Sequence, residues 1–174
     1  MDEKTKGKTI LLVRHAKSSW DDVGLADEAR PLNDRGKKDA PEMAKRLRKK
    51  DINIDLFLSS PAKRARRTAR YFAEEFGVKK DDIEIEDRLY GADSAVFLKV
   101  LSGLKTKVDT VAVFSHNPGI TEFANTLTEV RVDNMPTSSV FAVHVDTDDW
   151  NNISAAEKKF VFFDYPKNPM AKED

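Results

Sequence analysis

Short aliphatic runs alternate along the chain with stretches whose apolar residues recur every three or four positions. The runs are TILLV (9–13), IDLFLS (54–59), IEIE (83–86), TVAVFS (110–115), SVFAVHV (139–145) and KFVFFDY (159–165). Runs this short and apolar read as strands buried on both faces, as in a parallel sheet covered by helices on each side. Between them Ala40, Met43, Ala44 and Leu47 form one helical stripe, and Ala65, Ala69, Phe72 and Phe76 a second. Phe97, Val100, Leu101 and Leu104 form a third, and Ile120, Phe123, Ala124 and Leu127 a fourth. Asn33 is placed to cap the first helix, Ser60 with Pro61 to open the second, and Asp93 or Ser94 to cap the third. Pro41 falls inside the first pattern and predicts either a kink or a helix that starts there. The last two runs are joined by DTDDWNNISAAEK, which has no helical pattern, so they are expected to pair antiparallel. The whole pattern predicts a three-layer α/β/α sandwich whose mostly parallel sheet has an antiparallel edge.

The 174 residues show no repeat, composition shift or Gly/Ser linker, so residues 1–174 are expected to form a single domain. Lys and Arg number 30 and Asp and Glu 30, a balance that points to neither nucleic acid nor an anionic membrane. The basic runs AKRLRKK and AKRARRTAR lie on predicted helices and read as solvated faces. There is no cysteine, which excludes disulfides, thiolate metal sites and cysteine nucleophiles. The segment MDEKTKGKTILLV is charged, and its apolar run is too short for a signal peptide or a spanning helix, so a cytoplasmic location is expected.

In a parallel sheet, ligands bind where the strands end and the strand-to-helix loops converge. The first strand ends in Arg14-His15. The second leads into SSPAKRARRT, with Arg64 in the first turn of a helix, and the fourth into SHNPG, with His116. Two of the three histidines therefore follow strands at one edge, whereas His144 falls within a strand and reads as structural or surface. Each feature alone has an ordinary explanation. Together, two imidazoles and two guanidiniums at one edge describe a cationic, donor-rich pocket suited to a dianionic phosphoryl group. There is no Walker loop, no Gly-rich dinucleotide turn, no serine elbow and no obvious metal cluster, so neither a metal nor a cofactor is expected. Histidine-based phosphoryl chemistry remains.

These residues resemble a known pattern. LLVRHAKSSW is similar to the Arg-His-Gly signature of the histidine phosphatase superfamily, which has the phosphoglycerate mutase-like fold, and RPLNDRG, SSPAKRARRT and VFSHNPGI resemble its later segments in order. RHAKS, RPL, LYGA and SHNPG most resemble the SixA-type branch, whose namesake is a phosphohistidine phosphatase. The resemblance implies that His15 is the nucleophile and becomes phosphorylated, that Arg14 and Arg64 bind the phosphoryl oxygens, and that His116 completes the pocket. Ala16 stands where the signature has glycine. Many members carry a glutamate acid after the third strand. Here EIEDRLYGAD offers Glu86 and Asp87, with Asp87 the first choice for an acid, and Ser18 and Asp21 are further candidates for touching the substrate.

His15 must attack as a neutral imidazole, a state that adjacent guanidiniums favour, while a protonated His116 would add positive charge. A site without a strong acid suits an imidazole leaving group better than an alkoxide, so the expected substrate is a phosphohistidine, such as that of a histidine phosphotransfer protein. A small-molecule phosphomonoesterase and a phosphate- or phosphoprotein-binding module without turnover are the alternatives. The sequence does not reveal the oligomeric state.

Overall fold

The structure, a computed structural model, describes residues 7–170. In chain order the elements are β1 (Lys8–Arg14), α1 (Asp34–Arg48), β2 (Leu56–Ser59), α2 (Lys63–Glu75), β3 (Glu84–Ile85), α3 (Ser94–Ser102), β4 (Thr110–Ser115), α4 (Gly119–Leu127), β5 (Val140–Val145) and β6 (Lys158–Asp164). One six-stranded sheet has the order β3-β2-β4-β1-β5-β6. The first four strands are parallel, β5 runs antiparallel to β1, and β6 antiparallel to β5.

Alternation of side chains along a strand divides the aliphatic runs between two cores. Ile10, Leu12, Val111 and Val113 face the α3 and α4 side with Phe97, Leu101, Ile120 and Phe123. Leu11, Val13, Ala112 and Phe114 face the α1 and α2 side with Met43, Leu47, Ala69 and Phe72. Both faces of β1 and β4 are therefore covered, which is why those runs carry almost no polar residue. His144 lies in β5 opposite Thr9, near the start of β1 and away from the strand ends that build the site.

Local chemistry sets the helix starts. Asn33 Oδ1 accepts from Gly36 N at 2.9 Å, and Asp93 Oδ1 accepts from Val96 N at 3.0 Å. Three expectations are corrected. α1 begins at Asp34 and runs through Pro41, whose missing N–H leaves only the carbonyl of the exposed Lys37 without its helical partner. α2 begins at Lys63 with Ala62 at its cap, and the Ser60 hydroxyl serves both sides, accepting from Ala62 N at 3.2 Å and lying 2.7 Å from His116 Nε2. The IEIE run yields only the two-residue β3, exposed on both residues, because it forms the outer edge of the sheet and only Ile83 is buried.

The arrangement brings two strand ends together. β1 and β4 are neighbours in a register that pairs Arg14 with Ser115, so the next residues, His15 and His116, emerge side by side. Among the described residues no helix is long and apolar enough to cross a membrane.

Candidate active site

His15 leaves the end of β1 almost fully buried, at 7% exposure. Its Nδ1 lies 2.8 Å from the carbonyl oxygen of Ala16. A carbonyl only accepts, so Nδ1 carries the proton and Nε2 of the neutral ring keeps its lone pair. The next backbone N–H, of Ala16, donates to Thr68 Oγ1 at 2.8 Å, and the Thr68 hydroxyl donates to the Arg64 carbonyl at 2.7 Å. One α2 threonine therefore ties the loop that follows His15 to the turn that carries Arg64. The Ala16 methyl, in place of a glycine, packs with Leu32 and Ala40.

The same edge gathers the other three residues singled out by the sequence. The His15 and His116 rings lie 5.0 Å apart between centroids. Arg14, the last residue of β1, donates from Nη1 to Met135 O at 2.9 Å, and its buried Nε meets no protein partner. Arg64 donates from Nη1 to Asp27 O at 2.7 Å and from Nη2 to Asp27 Oδ2 at 2.9 Å. His116 Nε2 lies 2.7 Å from Ser60 Oγ, while its Nδ1 is buried without a partner. Buried donors and acceptors are nearly always satisfied, so two orphans among four neighbouring residues single out this edge as the candidate site.

Two glycines allow this convergence. A Cβ on Gly36 would lie 2.2 Å from Lys17 O, so the first turn of α1 closes directly on the loop after His15. A Cβ on Gly119 would lie 1.8 Å from Ala92 O, so α4 and the preceding His116 press against the segment after β3. Ser115 Oγ donates to Leu89 O at 2.7 Å and pins that segment, which carries Tyr90, its ring roughly perpendicular to His116 with centroids 5.5 Å apart.

The electrostatics favour unprotonated imidazoles. Burial first, then His116, Arg64 and Arg14, pushes His15 down to about 3. Burial, then Arg64 and Arg14, pushes His116 down to about 4 against the opposing pull of Asp27. The expected neutrality of His15 thus has desolvation as its main cause, with the guanidiniums secondary. His116 is likewise neutral at pH 7.

The remaining candidates sit elsewhere. Glu86 caps the short turn after β3 and pairs with Arg88 at 2.6 Å, and its carboxyl is held below the usual range chiefly by that Arg88 bond. Asp87 is exposed on the same turn. Asp21 lines an outer groove with Asp22, Asn33 and Asp34. Ser18 is buried, but its hydroxyl accepts from Arg30 Nη2 at 2.6 Å, so it orients that arginine. Asp27, on a short 3-10 turn (Asp27–Ala29), is the carboxylate that reaches the arginines, and Tyr90 donates its hydroxyl to the same Oδ2. Neither was singled out from the sequence, although Tyr90 belongs to the LYGA segment quoted for the resemblance. Among the described residues no three His, Cys, Asp or Glu side chains converge as metal ligands.

Comparison with known proteins identifies the fold and the family. A solved structure from Agrobacterium tumefaciens, assigned as the phosphohistidine phosphatase SixA, superposes with a TM-score of 0.75 at 27% identity, covering 92% of this chain and 99% of that one. The fold is phosphoglycerate mutase-like. An uncharacterized chloroplastic protein of Arabidopsis thaliana is 31% identical over 72% of this chain, which spans 61% of that relative's length. Phosphoserine phosphatase 1 of Hydrogenobacter thermophilus is 36% identical over 96 residues, 53% of this chain and 42% of its own. The model of the histidine phosphatase superfamily, branch 1, matches residues 10–97, half of the chain, taking in Arg14, His15 and Arg64. The protein therefore belongs to the histidine phosphatase superfamily, branch 1.

Proposed function

We propose that the protein is a SixA-type phosphohistidine phosphatase that works through a phosphohistidine intermediate on His15. The observation that carries this reading is the state of the groups at the strand ends. His15 presents a bare Nε2 beside Arg14, Arg64 and His116, and the carboxylate that pairs with Arg64, Asp27, is held far below the usual carboxylate range, first by the Tyr90 hydroxyl. That carboxylate is ionised at neutral pH and has no proton to give. An alkoxide leaving group needs one, whereas a protonated phosphohistidine already carries its proton on the ring.

In the first half-reaction Nε2 of His15 attacks phosphorus, and the Nδ1–H···O=C bond to Ala16 supports the charge that develops on the ring. Arg14 and Arg64 hold the phosphoryl oxygens. A unit charge pair at about 4 Å is worth roughly 4 kcal/mol at an effective dielectric of about 20, so two guanidiniums on a group of about −1.5 to −2 charges supply a large share of the stabilisation. His116 starts neutral and gains basicity when the dianion arrives. Water then attacks the His15 phosphoryl group and regenerates the pocket. A histidine phosphotransfer protein as substrate and a cytoplasmic location belong to the same reading.

The match to a phosphoserine phosphatase favours a second reading, a small-molecule phosphomonoesterase on the same fold. That reading needs an acid, and the exposed Asp87 would have to move to become one. The two are separated by comparing catalytic efficiency on a phosphohistidine phosphotransfer protein, a sugar phosphate and an aryl phosphate. The phosphohistidine protein is expected to lead. Faster turnover of the sugar phosphate overturns the proposal, and phosphate binding without turnover of any of the three would make the protein a binding module.

A further inference from the structure

The loop between β1 and α1 delivers a carboxylate that the superfamily pattern did not call for. Asp27 accepts from Arg64 Nη2 at 2.9 Å and from the Tyr90 hydroxyl on Oδ2, and from Arg30 Nη1 at 3.2 Å on Oδ1. A carboxylate offers about four acceptor positions. Three are filled, and the fourth, on Oδ1, belongs to a side chain that is 49% exposed, whereas His15 is 7% exposed. Arg64 in turn spends two of its five donors on Asp27 and keeps three for a phosphoryl group. One guanidinium therefore bridges the phosphoryl seat and the carboxylate, with the carboxylate on the solvent side, where a leaving group departs.

Its supports are themselves fixed. The Arg30 guanidinium stacks 3.3 Å from the centroid of Trp20, donates from Nε to Ser19 O at 3.1 Å, and donates to Ser18. Tyr90 is pinned through Leu89 and Ser115. Such a carboxylate stays charged without being a proton source, and that combination recognises a cation.

We propose that Asp27 is a specificity residue that accepts the ring N–H of a protonated N-phosphoimidazole leaving group, with Arg30 and Tyr90 as its positioning residues. This rests on the phosphohistidine reading above and names the group that selects for it. The second ring nitrogen of a phosphohistidine lies one ring-width from the phosphorus, and Arg64, which donates to Asp27 and keeps donors for the phosphoryl oxygens, links the two positions. The step balances without an outside proton. The P–N bond of the substrate breaks with its electron pair going to the substrate nitrogen, and the P–Nε2 bond to His15 forms. The substrate ring keeps its proton on the other nitrogen and leaves neutral, while the positive charge appears on the His15 ring. By pairing with the cationic substrate ring, Asp27 raises the fraction of substrate in the reactive protonated form. The same charge works against substrates whose leaving group carries a carboxylate or second phosphate nearby. The charged and titratable groups that bear on Asp27 are Arg64 from α2, Arg30 from its own loop, Tyr90 from the segment after β3, and His116 from the end of β4, while Glu28 acts on Tyr90.

The test compares N-phosphoimidazole with para-nitrophenyl phosphate, whose leaving group needs no proton, in wild type, Asp27→Asn, Asp27→Glu and Tyr90→Phe across pH 5.5–9. Asparagine preserves the acceptor that Arg64 and Tyr90 use but removes the charge. In Asp27→Asn the ratio of kcat/KM values, N-phosphoimidazole over aryl phosphate, should fall at least tenfold. The alkaline limb of the N-phosphoimidazole profile should move about one pH unit lower. Asp27→Glu should recover part of the ratio, and Tyr90→Phe should lower it less. An unchanged ratio, or an equal fall on both substrates with the limb unmoved, overturns the role of Asp27 while leaving the phosphohistidine reading intact. A wild type that turns over the aryl phosphate but not N-phosphoimidazole overturns both.

Discussion

Lowering the pH from 7 to 5.5 should weaken the folded state, and the two site histidines set by how much. In the unfolded chain both imidazoles titrate near 6.5. In the folded protein burial, reinforced by Arg64 and Arg14, holds His15 at about 3 and His116 at about 4. Below 6.5 the unfolded chain takes up protons that the folded chain refuses. The stabilising contribution is therefore complete above about 6.5, declines as the pH falls toward the folded values, and is gone beneath them. By this linkage each ring loses about 1.25 kcal/mol between pH 7 and 5.5, and the pair about 2.5 kcal/mol. That is a substantial part of an ordinary stability of 5–15 kcal/mol, and most carboxylates titrate below the window. Urea unfolding followed by the fluorescence of the buried Trp150 measures it. His15→Asn/His116→Asn should lose most of the pH dependence. Equal stability of the wild type at the two pH values, or imidazole NMR midpoints near 6.5 for both rings, would refute the reasoning.

Three further perturbations probe separate parts of the structure. Ser60→Ala removes the hydroxyl 2.7 Å from His116 Nε2 and should lower kcat about tenfold, the equivalent of one hydrogen bond of ~1.4 kcal/mol, as read by steady-state kinetics. Gly119→Ala places a Cβ 1.8 Å from the Ala92 carbonyl, on backbone that cannot swing aside, and should cost about 1–3 kcal/mol in urea together with a loss of kcat/KM as His116 is displaced. Asp164→Ala breaks the ion pair that ties the end of β6 to Arg46 of α1, and should cost about 3 kcal/mol of stability with kcat/KM unchanged.

Much of the fold was legible because burial on two faces leaves a simple trace. The alternation in β1 and β4, the four helical stripes and the caps at Asn33 and Asp93 all appear where the residue pattern places them. IEIE misled because an apolar alternation does not reveal that a strand will lie at the sheet edge. Ser60 misled because a hydroxyl before Pro61 can serve the chain entering a helix and a histidine at once, and only the approach of β4 reveals the second partner. At the site, Arg14, His15, Arg64 and His116 stand out because each follows a strand or opens a helix. Asp27 does not, since it is one of Asp21, Asp22, Asp27 and Glu28 in a loop without periodicity. What selects it is the return of that loop, fixed by the Ser18–Leu32 bridge and by Arg30. The tautomer of His15 was equally hidden, because its partner is a backbone carbonyl that every residue possesses.

The most direct measurement is to identify the covalent intermediate. Wild-type protein mixed with a labelled phosphohistidine phosphotransfer protein and quenched in the millisecond range should yield an acid-labile, alkali-stable phosphoryl group that peptide mass spectrometry places on His15. His15→Ala should show neither that label nor turnover. Retained turnover in His15→Ala, or a label found on another residue, would contradict the mechanism.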